Sequence, residues 1–513
     1  MTAPWGNLPA VVTAVGTVAF WTPLDADIAA LAVPVAPAAQ GDSEVQPRAG
    51  TADAAARYGI DLGDLAERAG GTGAPGEAWT LHLPRRLVAT GAELPWGQLP
   101  ARLILVGVGG GSPDDLRRAG AALARQTRGL GRVVTTLGAE GGPEAARALV
   151  EGYLLASYRI PQAGTAAPGK PAEQLVLLGD DAHDQAITDA TIAARAAWLV
   201  RDLTNTPANT KNPAWFAQRA AELAAQFGLD VRVLGVPELT AQGFGAILAV
   251  GSGSASEPRL VTVSYTPAGR VGRHVVIVGK GVTFDTGGIS IKQRLAMVTM
   301  KTDMAGAAVA LATVLAAAER GLAHRVTAVL PLAENHFGGA SYRPGDVVTM
   351  HGGRTVEVVN TDAEGRMVLA DALAYADAEL APDVLIDVAT LTGAAKVALG
   401  LACGALFSAD PGLVAGLEAA AAQCGERVWR MPLVDDYLAA IVSQVADLRQ
   451  SPADRSAGSI TAALFLREFV GQRRWAHLDI AGPARAAAEK DETTQGATGY
   501  GARLLLRYLE NLV

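Results

Sequence analysis

Short apolar runs alternate with alanine-rich, amphipathic stretches along most of the chain. In the first part, the runs VVTAVGTVAFW, WTLHLP, RLILVGVG and LVLLG have the length and β-branched content of strands, whereas LRRAGAALARQTRG spaces its apolar residues as a helix does. From Asp189 the pattern ATIAARAAWLVRDL predicts a helix. Later apolar runs predict buried strands that begin near residues 275, 325, 355, 383 and 475. Strands that alternate with helices predict an α/β fold.

The chain is too long for one average domain, since it has 513 residues. A stretch rich in Pro, Gly and Ala, PQAGTAAPGKPAEQ at 161–174, predicts a surface loop close to a boundary near residue 182. We therefore expect a smaller N-terminal α/β domain over 1–182. A larger C-terminal α/β domain over 183–513 should contain a mixed, mostly parallel central sheet flanked by helices.

Two carboxylates lie two positions apart in the motif NTDAEGR at 360–366. The preceding TVEVV resembles a buried strand, and the following MVLADALAYA has helical spacing, so Asp362 and Glu364 are predicted in a strand-to-helix turn. Such turns lie at the carboxyl ends of strands, where open α/β sheets bind ligands. In extended chain this spacing would point both side chains to one side.

A second stretch, VVIVGKGVTFDTGGISIK at 275–292, repeats the construction. It places Lys280, Asp285 and Lys292 in a glycine-rich loop, and Asp303 follows in MKTDMAGAA. Each acid alone would be an ordinary solvated loop charge, but clustered like charges repel unless a cation compensates them. Two divalent ions would match the four acids. Ligation mainly by oxygen, without nearby Cys or His, suits Mn, Mg or Zn.

The chain resembles the leucyl aminopeptidase family of two-metal exopeptidases. NTDAEGR matches the family signature, and further segments match in family order between about residues 200 and 510: RDLTNTPANTKNP, GKGVTFDTGGISIK, MKTDMAGAA, YRPGDVVT, DVATLTGA, WAHLDIAG and GATGYGARLL. The resemblance implies a metallo-aminopeptidase whose catalytic, dinuclear domain is the C-terminal one. It implies removal of N-terminal residues, preferably leucine or another apolar residue, from peptides.

The resemblance also implies roles for single residues. Asp285 and Glu364 would bridge two Mn or Zn ions, Asp362 would bind one ion, and Lys280 with Asp303 would bind the other. Lysine binds a metal only as the neutral amine, so Lys280 would have to lose a proton, which two nearby dications favour. Lys292 and Arg366 would be the catalytic pair, Lys292 facing the oxyanion and Arg366 holding a bicarbonate that acts as general base. The substrate-binding positions would be Met300, Thr390, Leu391 and Gly393.

Three segments depart from the family pattern. Gln293 stands where a proline commonly follows the catalytic lysine, HFGGAS occupies 336–341, and PARAAAEKDE occupies 483–492 where a tryptophan is usual. None of them removes a predicted ligand. We therefore expect an active enzyme. The three departures leave its substrate preference and loop mobility unpredicted.

Charge and cysteine content set further expectations. The net charge is −8, and residues 1–180 carry 14 Lys and Arg against 17 Asp and Glu, so neither nucleic acid nor an anionic membrane is an expected partner. Only Cys403 and Cys424 are present, which fits free thiols in a reducing cytoplasm. No run of 18 apolar residues occurs, so no membrane span is expected. Family resemblance implies a homohexamer.

Other interpretations remain for parts of the chain. GVGGGSPDD at 107–115 resembles a dinucleotide-binding loop, but its spacing favours a turn followed by a helix capped by Ser112. A metal-dependent phosphatase would also use clustered carboxylates. A regulatory protein could retain the scaffold without activity, although loss of a ligand or of Lys292 would then be expected.

Overall fold

The chain folds into two compact units. The structure, a computed structural model, describes residues 8–20, 27–40, 42, 44–86, 93–160, 169–179, 183–452 and 456–512. Unit 1 comprises Met1–Arg195 and Ala488–Thr494, and unit 2 comprises Ala196–Ala487 and Gln495–Val513. The predicted boundary near 182 and residues 161–168 of the predicted loop lie outside the described residues, so that boundary stays a prediction.

Unit 1 is an α/β structure, as its alternating pattern predicts. Its strands are β1 (Ala10–Val15), β2 (Ile28–Ala36), β3 (Gln46–Pro47), β4 (Ala78–His82), β5 (Arg102–Gly107), β6 (Arg132–Thr135) and β7 (Gln174–Gly179). Its helices are α1 (Thr51–Tyr58), α2 (Leu62–Arg68), α3 (Pro113–Gln126) and α4 (Gly142–Ala156), and α5 (Asp184–Asn205) runs from unit 1 into unit 2. Ser112 caps α3 in a capping box, so the capped-helix interpretation of GVGGGSPDD is confirmed.

The sheet of unit 1 has the order β1-β7-β6-β2-β5-β4, with β3 beside β2. Neighbouring strands are parallel except at β3 and β4. Sequence reasoning missed β2, which is almost entirely buried at the centre of the sheet. Pro34 lies near its C-terminal end, and proline lacks the N–H that a central strand normally donates, so the pattern is atypical.

Unit 2 contains the larger sheet. Its strands are β8 (Asp230–Leu234), β9 (Arg259–Tyr265), β10 (His274–Gly279), β11 (Gly281–Asp285), β12 (Arg325–Asn335), β13 (Val347–Thr349), β14 (Thr355–Glu357), β15 (Val384–Ala389), β16 (Gly404–Phe407), β17 (Val428–Arg430), β18 (Leu448–Arg449), β19 (Arg474–Asp479), β20 (Arg485–Ala486) and β21 (Gly496–Ala497). Its α-helices are α6 (Pro213–Ala225), α7 (Val236–Ala241), α8 (Gly245–Gly251), α9 (Arg294–Met297), α10 (Ala305–Arg320), α11 (Glu364–Tyr375), α12 (Gly393–Leu399), α13 (Pro411–Cys424), α14 (Gly458–Arg467) and α15 (Ala502–Asn511). Short 3-10 helices span Met300–Thr302 and Asp435–Ile441, and a π-helical turn spans Ala376–Leu380.

The main sheet of unit 2 has the order β17-β16-β19-β15-β10-β12-β9-β8, with β11 beside β12. Its centre, β19-β15-β10-β12, is parallel, while β8, β9 and β16 pair antiparallel with their neighbours. The predicted mixed, mostly parallel sheet is therefore confirmed. The carboxyl ends of its central strands meet at one edge, which is where such sheets bind ligands.

One predicted strand differs from the prediction. The run at 355 forms β14, a half-buried strand of three residues in a small side sheet with β13 and β18, so it is not a buried strand of the main sheet. The chain then turns and enters α11 at Glu364. Asp362 lies in the turn and Glu364 in the helix, so the predicted extended spacing of this pair is wrong. Turn geometry orients the two side chains instead.

One stretch, Arg294–Arg320, has the length and hydropathy of a membrane-spanning helix. However, 89% of its most apolar part is buried inside the protein. A core helix of a folded domain meets the same criteria, and α10 is such a helix, with apolar residues buried on all sides.

Candidate active site

Five strand ends of unit 2 supply the polar residues of the site. Lys280 follows β10, Asp285 ends β11, Asn335 ends β12, Thr390 follows β15 and Asp479 ends β19. The intervening strand residues are almost all buried and apolar, which fixes the sheet and leaves the polar side chains at its edge. The structure thus places polar side chains at the predicted edge of the sheet, and their binding of ligands stays a prediction.

Three of the predicted ligands form a compact cluster. One carboxylate oxygen each from Asp285, Asp303 and Glu364 lies within 4.8 Å of the other two, and all three residues are buried. Burial raises the pKa of Asp285 and of Asp303, and the charge of Glu364 raises both further. The site thus holds carboxylates at a separation that needs a compensating positive charge.

Lys280 supplies part of that charge. Its Nζ atom lies 2.8 Å from Asp303 Oδ1 and 2.9 Å from Glu364 Oε1, and it donates to the Thr390 carbonyl oxygen at 3.0 Å. Burial alone would lower the pKa of Lys280, but the surrounding carboxylates outweigh burial and raise it. Lys280 is therefore an ammonium ion in this arrangement.

Lys292 contacts the other two acids. Its Nζ atom lies 2.7 Å from Asp285 Oδ2 and also forms an ion pair with Asp362 Oδ1. Asp285 lies seven residues before Lys292 in the same loop, whereas Asp362 lies in a turn far along the chain. Asp362 is the most exposed of the four acids, at 33% of its side chain. Lys292 thus joins Asp362 to the buried cluster.

The donor set fits divalent cations. Four carboxylates and two ammonium groups leave a formal charge of −2, which falls to −4 when both lysines are neutral. Glu364 Oε2 is buried and has no hydrogen-bond partner among the described residues. A buried carboxylate oxygen without a donor is costly, and a cation would satisfy it. Oxygen ligands of this kind suit Mn and Mg, and suit Zn when an amine joins them.

Arg366 lies two residues beyond Glu364 on α11 and is buried. Its Nη1 donates to the Gln450 carbonyl oxygen at 2.9 Å, whereas Nε is buried without a partner among the described residues. Burial lowers the pKa of Arg366 to about 10, and Glu364 and Asp479 oppose that shift. The side chain remains a cation at neutral pH and has a free donor for an anion.

The four predicted substrate-binding residues lie on two segments. Met300 begins the 3-10 helix that leads to Asp303, and it is half-buried. Thr390 follows β15, and its hydroxyl donates to Asp303 Oδ1 at 2.7 Å. Leu391 is half-buried, and Gly393 is exposed at the start of α12. The contacts of Thr390 link this segment directly to the carboxylate cluster.

Sequence reasoning missed two positioning residues, Asn335 and Asp479. Asn335 donates through Nδ2 to Asp285 Oδ1 at 2.7 Å, and so orients that carboxylate. Asp479 accepts from the backbone N–H groups of Leu391 and Thr392 at 3.1 and 3.0 Å, and so holds the segment after β15. Their positions at strand ends were the available signal, since each ends a buried run.

Gly365 allows the approach of Lys280. A Cβ atom at this position would lie 2.5 Å from Lys280 Cε and 2.7 Å from Nζ, closer than nonbonded atoms come. Glycine at this position therefore lets Lys280 lie beside Glu364, whereas a larger residue would force that side chain to shift, although glycine is unfavourable within a helix.

Comparisons with known proteins identify the family. The sequence model of the cytosol aminopeptidase family, catalytic domain, matches residues 198–506, and that of the family's N-terminal domain matches 40–163. A probable cytosol aminopeptidase of Roseiflexus castenholzii is 44% identical over 434 residues, covering 81% of this chain and 88% of the relative. Another, from Leifsonia xyli subsp. xyli, is 45% identical and covers 78% and 82%.

A solved structure matches almost the whole chain. The bottromycin maturation enzyme BotP, solved in complex with Mn, is 35% identical, has a TM-score of 0.82, and covers 94% of this chain and 98% of its own. These matches extend over both units and over the whole carboxylate cluster. The chain therefore belongs to the cytosol aminopeptidase family and is a hydrolase.

Proposed function

We propose that this protein removes N-terminal leucine or another apolar residue from peptides, using two divalent ions, Mn or Zn, per chain. The observation that carries the proposal is the buried cluster of Asp285, Asp303 and Glu364, in which one Glu364 oxygen has no hydrogen-bond partner within the described part of the chain. Membership of the cytosol aminopeptidase family and the Mn complex of BotP support it.

The carboxylates would divide between the two ions. Asp285 and Glu364 would bridge them, Asp362 would bind one ion, and Asp303 the other, together with Lys280 once it has released its proton. When bound, the ions would activate a water and polarise the scissile carbonyl. The Thr390 hydroxyl and carbonyl, which contact Asp303 and Lys280, keep this pair in place.

Lys292 and Arg366 would act on the reacting groups. Lys292 reaches the cluster from its exposed side, where its ammonium group can face the oxyanion of the tetrahedral intermediate. Arg366 has a buried Nε donor that meets no acceptor in the described ranges, which suits a bound bicarbonate that accepts a proton from the attacking water. Gln450 holds the opposite side of the guanidinium.

The side chain of the N-terminal residue would lie against Met300 and Leu391. Both are half-buried and apolar, and Gly393 leaves space at the start of α12 because nothing lies within 4 Å of a Cβ built there. Leucine and methionine have similar volumes, whereas one extra or missing methylene in an apolar pocket changes the rate by roughly 10- to 200-fold. We therefore expect leucine and methionine to be cleaved at comparable rates and charged residues slowly.

A panel of aminoacyl p-nitroanilides tests this proposal. Leucyl and methionyl substrates should be hydrolysed faster than aspartyl and lysyl ones, and N-acetyl-leucyl p-nitroanilide should not be cleaved. Glu364→Gln, which retains the shape of the side chain but removes its charge, should lose both activity and bound metal. Equal cleavage of the acetylated substrate would refute an aminopeptidase.

A further inference from the structure

We propose that Gln450 is a positioning residue that fixes the turn carrying Asp362 and Glu364 and thereby sets the affinity for divalent metal. Gln450 follows β18, in a segment that no sequence motif singles out. The inference rests on the proposed function, since it concerns the same metal site. Gln450 would orient the residues that bind the ions without binding the ions itself.

The side-chain amide of Gln450 binds the turn at three points. Its Oε1 accepts from the backbone N–H groups of Val359 and Asn360, both at 3.1 Å, and its Nε2 donates to the Ala363 carbonyl oxygen at 3.0 Å. Gln450 is 0% exposed. The amide thus pairs with backbone on both sides of Asp362, as a neighbouring strand would.

The backbone of Gln450 extends the same connection in both directions. Its N–H donates to the Glu357 carbonyl oxygen at 3.0 Å, which ties it to β14. Its carbonyl oxygen accepts from Arg366 Nη1 at 2.9 Å, which ties it to the first turn of α11. One residue therefore joins the strand before the turn, the turn itself and the helix after it.

The opposite side of the turn is held independently. The Thr361 carbonyl oxygen accepts from Asn335 Nδ2 at 3.0 Å and from the Tyr342 hydroxyl at 2.9 Å, and its hydroxyl donates to the Gly287 carbonyl oxygen at 2.7 Å. Loss of the Gln450 amide would therefore loosen one side of the turn without releasing it. The chain should still fold, with Asp362 and Glu364 less well aligned.

Outer groups that orient metal ligands typically contribute 10- to 100-fold to metal affinity. Gln450→Met retains the length of the side chain and removes its polar atoms. We expect this variant to bind Mn²⁺ about 10- to 100-fold more weakly than the parent. Saturating Mn²⁺ should restore most of its kcat, with KM little changed. Gln450→Asn keeps an amide on a shorter side chain. Its Mn²⁺ affinity should lie between those of the parent and of Gln450→Met.

The test is calorimetric titration of Mn²⁺ into chelator-treated protein, with circular dichroism to confirm folding. Ser408→Ala is the matched control, because Ser408 is buried and makes two hydrogen bonds, to the Trp475 carbonyl and from the Asp410 N–H, away from the turn. It should lower thermal stability and leave Mn²⁺ affinity unchanged. Parent-like affinity in Gln450→Met, or in Gln450→Asn should the first not fold, would overturn the inference. A parent that binds Mn²⁺ but hydrolyses no aminoacyl substrate would instead refute the proposed function.

Discussion

Lys280 and Lys292 each contact two carboxylates of the site, and together they reach all four acids. The two lysines differ in exposure, since the side chain of Lys280 is 3% exposed and that of Lys292 is 15% exposed. Lys280 is therefore enclosed by the protein and can contact only groups inside the site. Lys292 lies where a substrate can approach, which suits a role in stabilising developing negative charge.

The Lys292→Ala variant separates catalysis from metal retention. Its kcat should fall by about 100-fold or more if the ammonium stabilises an oxyanion. Bound metal should stay near the parent value, because removing a positive charge beside Asp285 and Asp362 makes the site more attractive to cations. Elemental analysis and kcat are the two measurements. Metal loss in proportion to activity would show instead that Lys292 has a structural role.

A third lysine, Lys211, is buried near the segment that carries Met300 and Asp303. Its Nζ donates to the carbonyl oxygens of Thr204 and Lys301 at 2.9 and 2.7 Å. Burial, with a smaller effect of Lys301, lowers the pKa of Lys211 to about 6. Its contacts include no carboxylate among the described residues, so the neutral amine is the form that suits this environment.

Lys211 should make the free energy of unfolding depend on pH. The unfolded chain keeps this proton up to about pH 10.4, whereas the folded chain releases it above about pH 6. The unfolded state thus binds more protons across that window, so stability rises with pH and is lost as pH falls towards 6. Lys211→Met should flatten this dependence in urea denaturation between pH 6 and 9. If the free energy of unfolding had the same pH dependence in parent and variant, Lys211 would not be the group responsible.

At the scale of elements, the sequence predicted the strand, turn and helix around NTDAEGR because hydrophobic period and motif agree there. It did not reveal that β14 belongs to a side sheet, since a short apolar run looks the same in either sheet. It missed β2 because Pro34 is atypical of a central strand. Asn335 and Gln450 were missed because their partners lie 50 and about 90 residues away, where spacing carries no information.

The first turn of α11 depends on Gly365. Alanine would favour the helix by about 1 kcal/mol, but its Cβ would collide with Lys280 and displace that side chain from Glu364. Gly365→Ala should therefore lower kcat and metal content while changing thermal stability little. Gly269→Ala is the control, because a Cβ there meets nothing within 4 Å. Parent-like activity in Gly365→Ala would show that the contact with Lys280 is dispensable.

For the whole molecule, we propose a homohexamer. Unit 2 exposes large apolar side chains, among them Leu295 at 80%, Val298 at 70% and Val397 at 88%. Association with another copy of the chain would cover such side chains. Light scattering at micromolar concentration should give about six times the chain mass of 52.6 kDa. A monomer mass would refute the assembly without affecting the proposed chemistry of the site.

We propose that the buried carboxylate cluster holds two divalent ions that are required for aminopeptidase turnover. The most direct measurement removes metal with a chelator, adds Mn²⁺ stepwise, and records leucyl p-nitroanilide hydrolysis against bound Mn per chain. We expect no turnover without metal and full turnover only as occupancy reaches two ions per chain. Full activity after exhaustive chelation, or saturation of activity at one ion per chain, would contradict the claim.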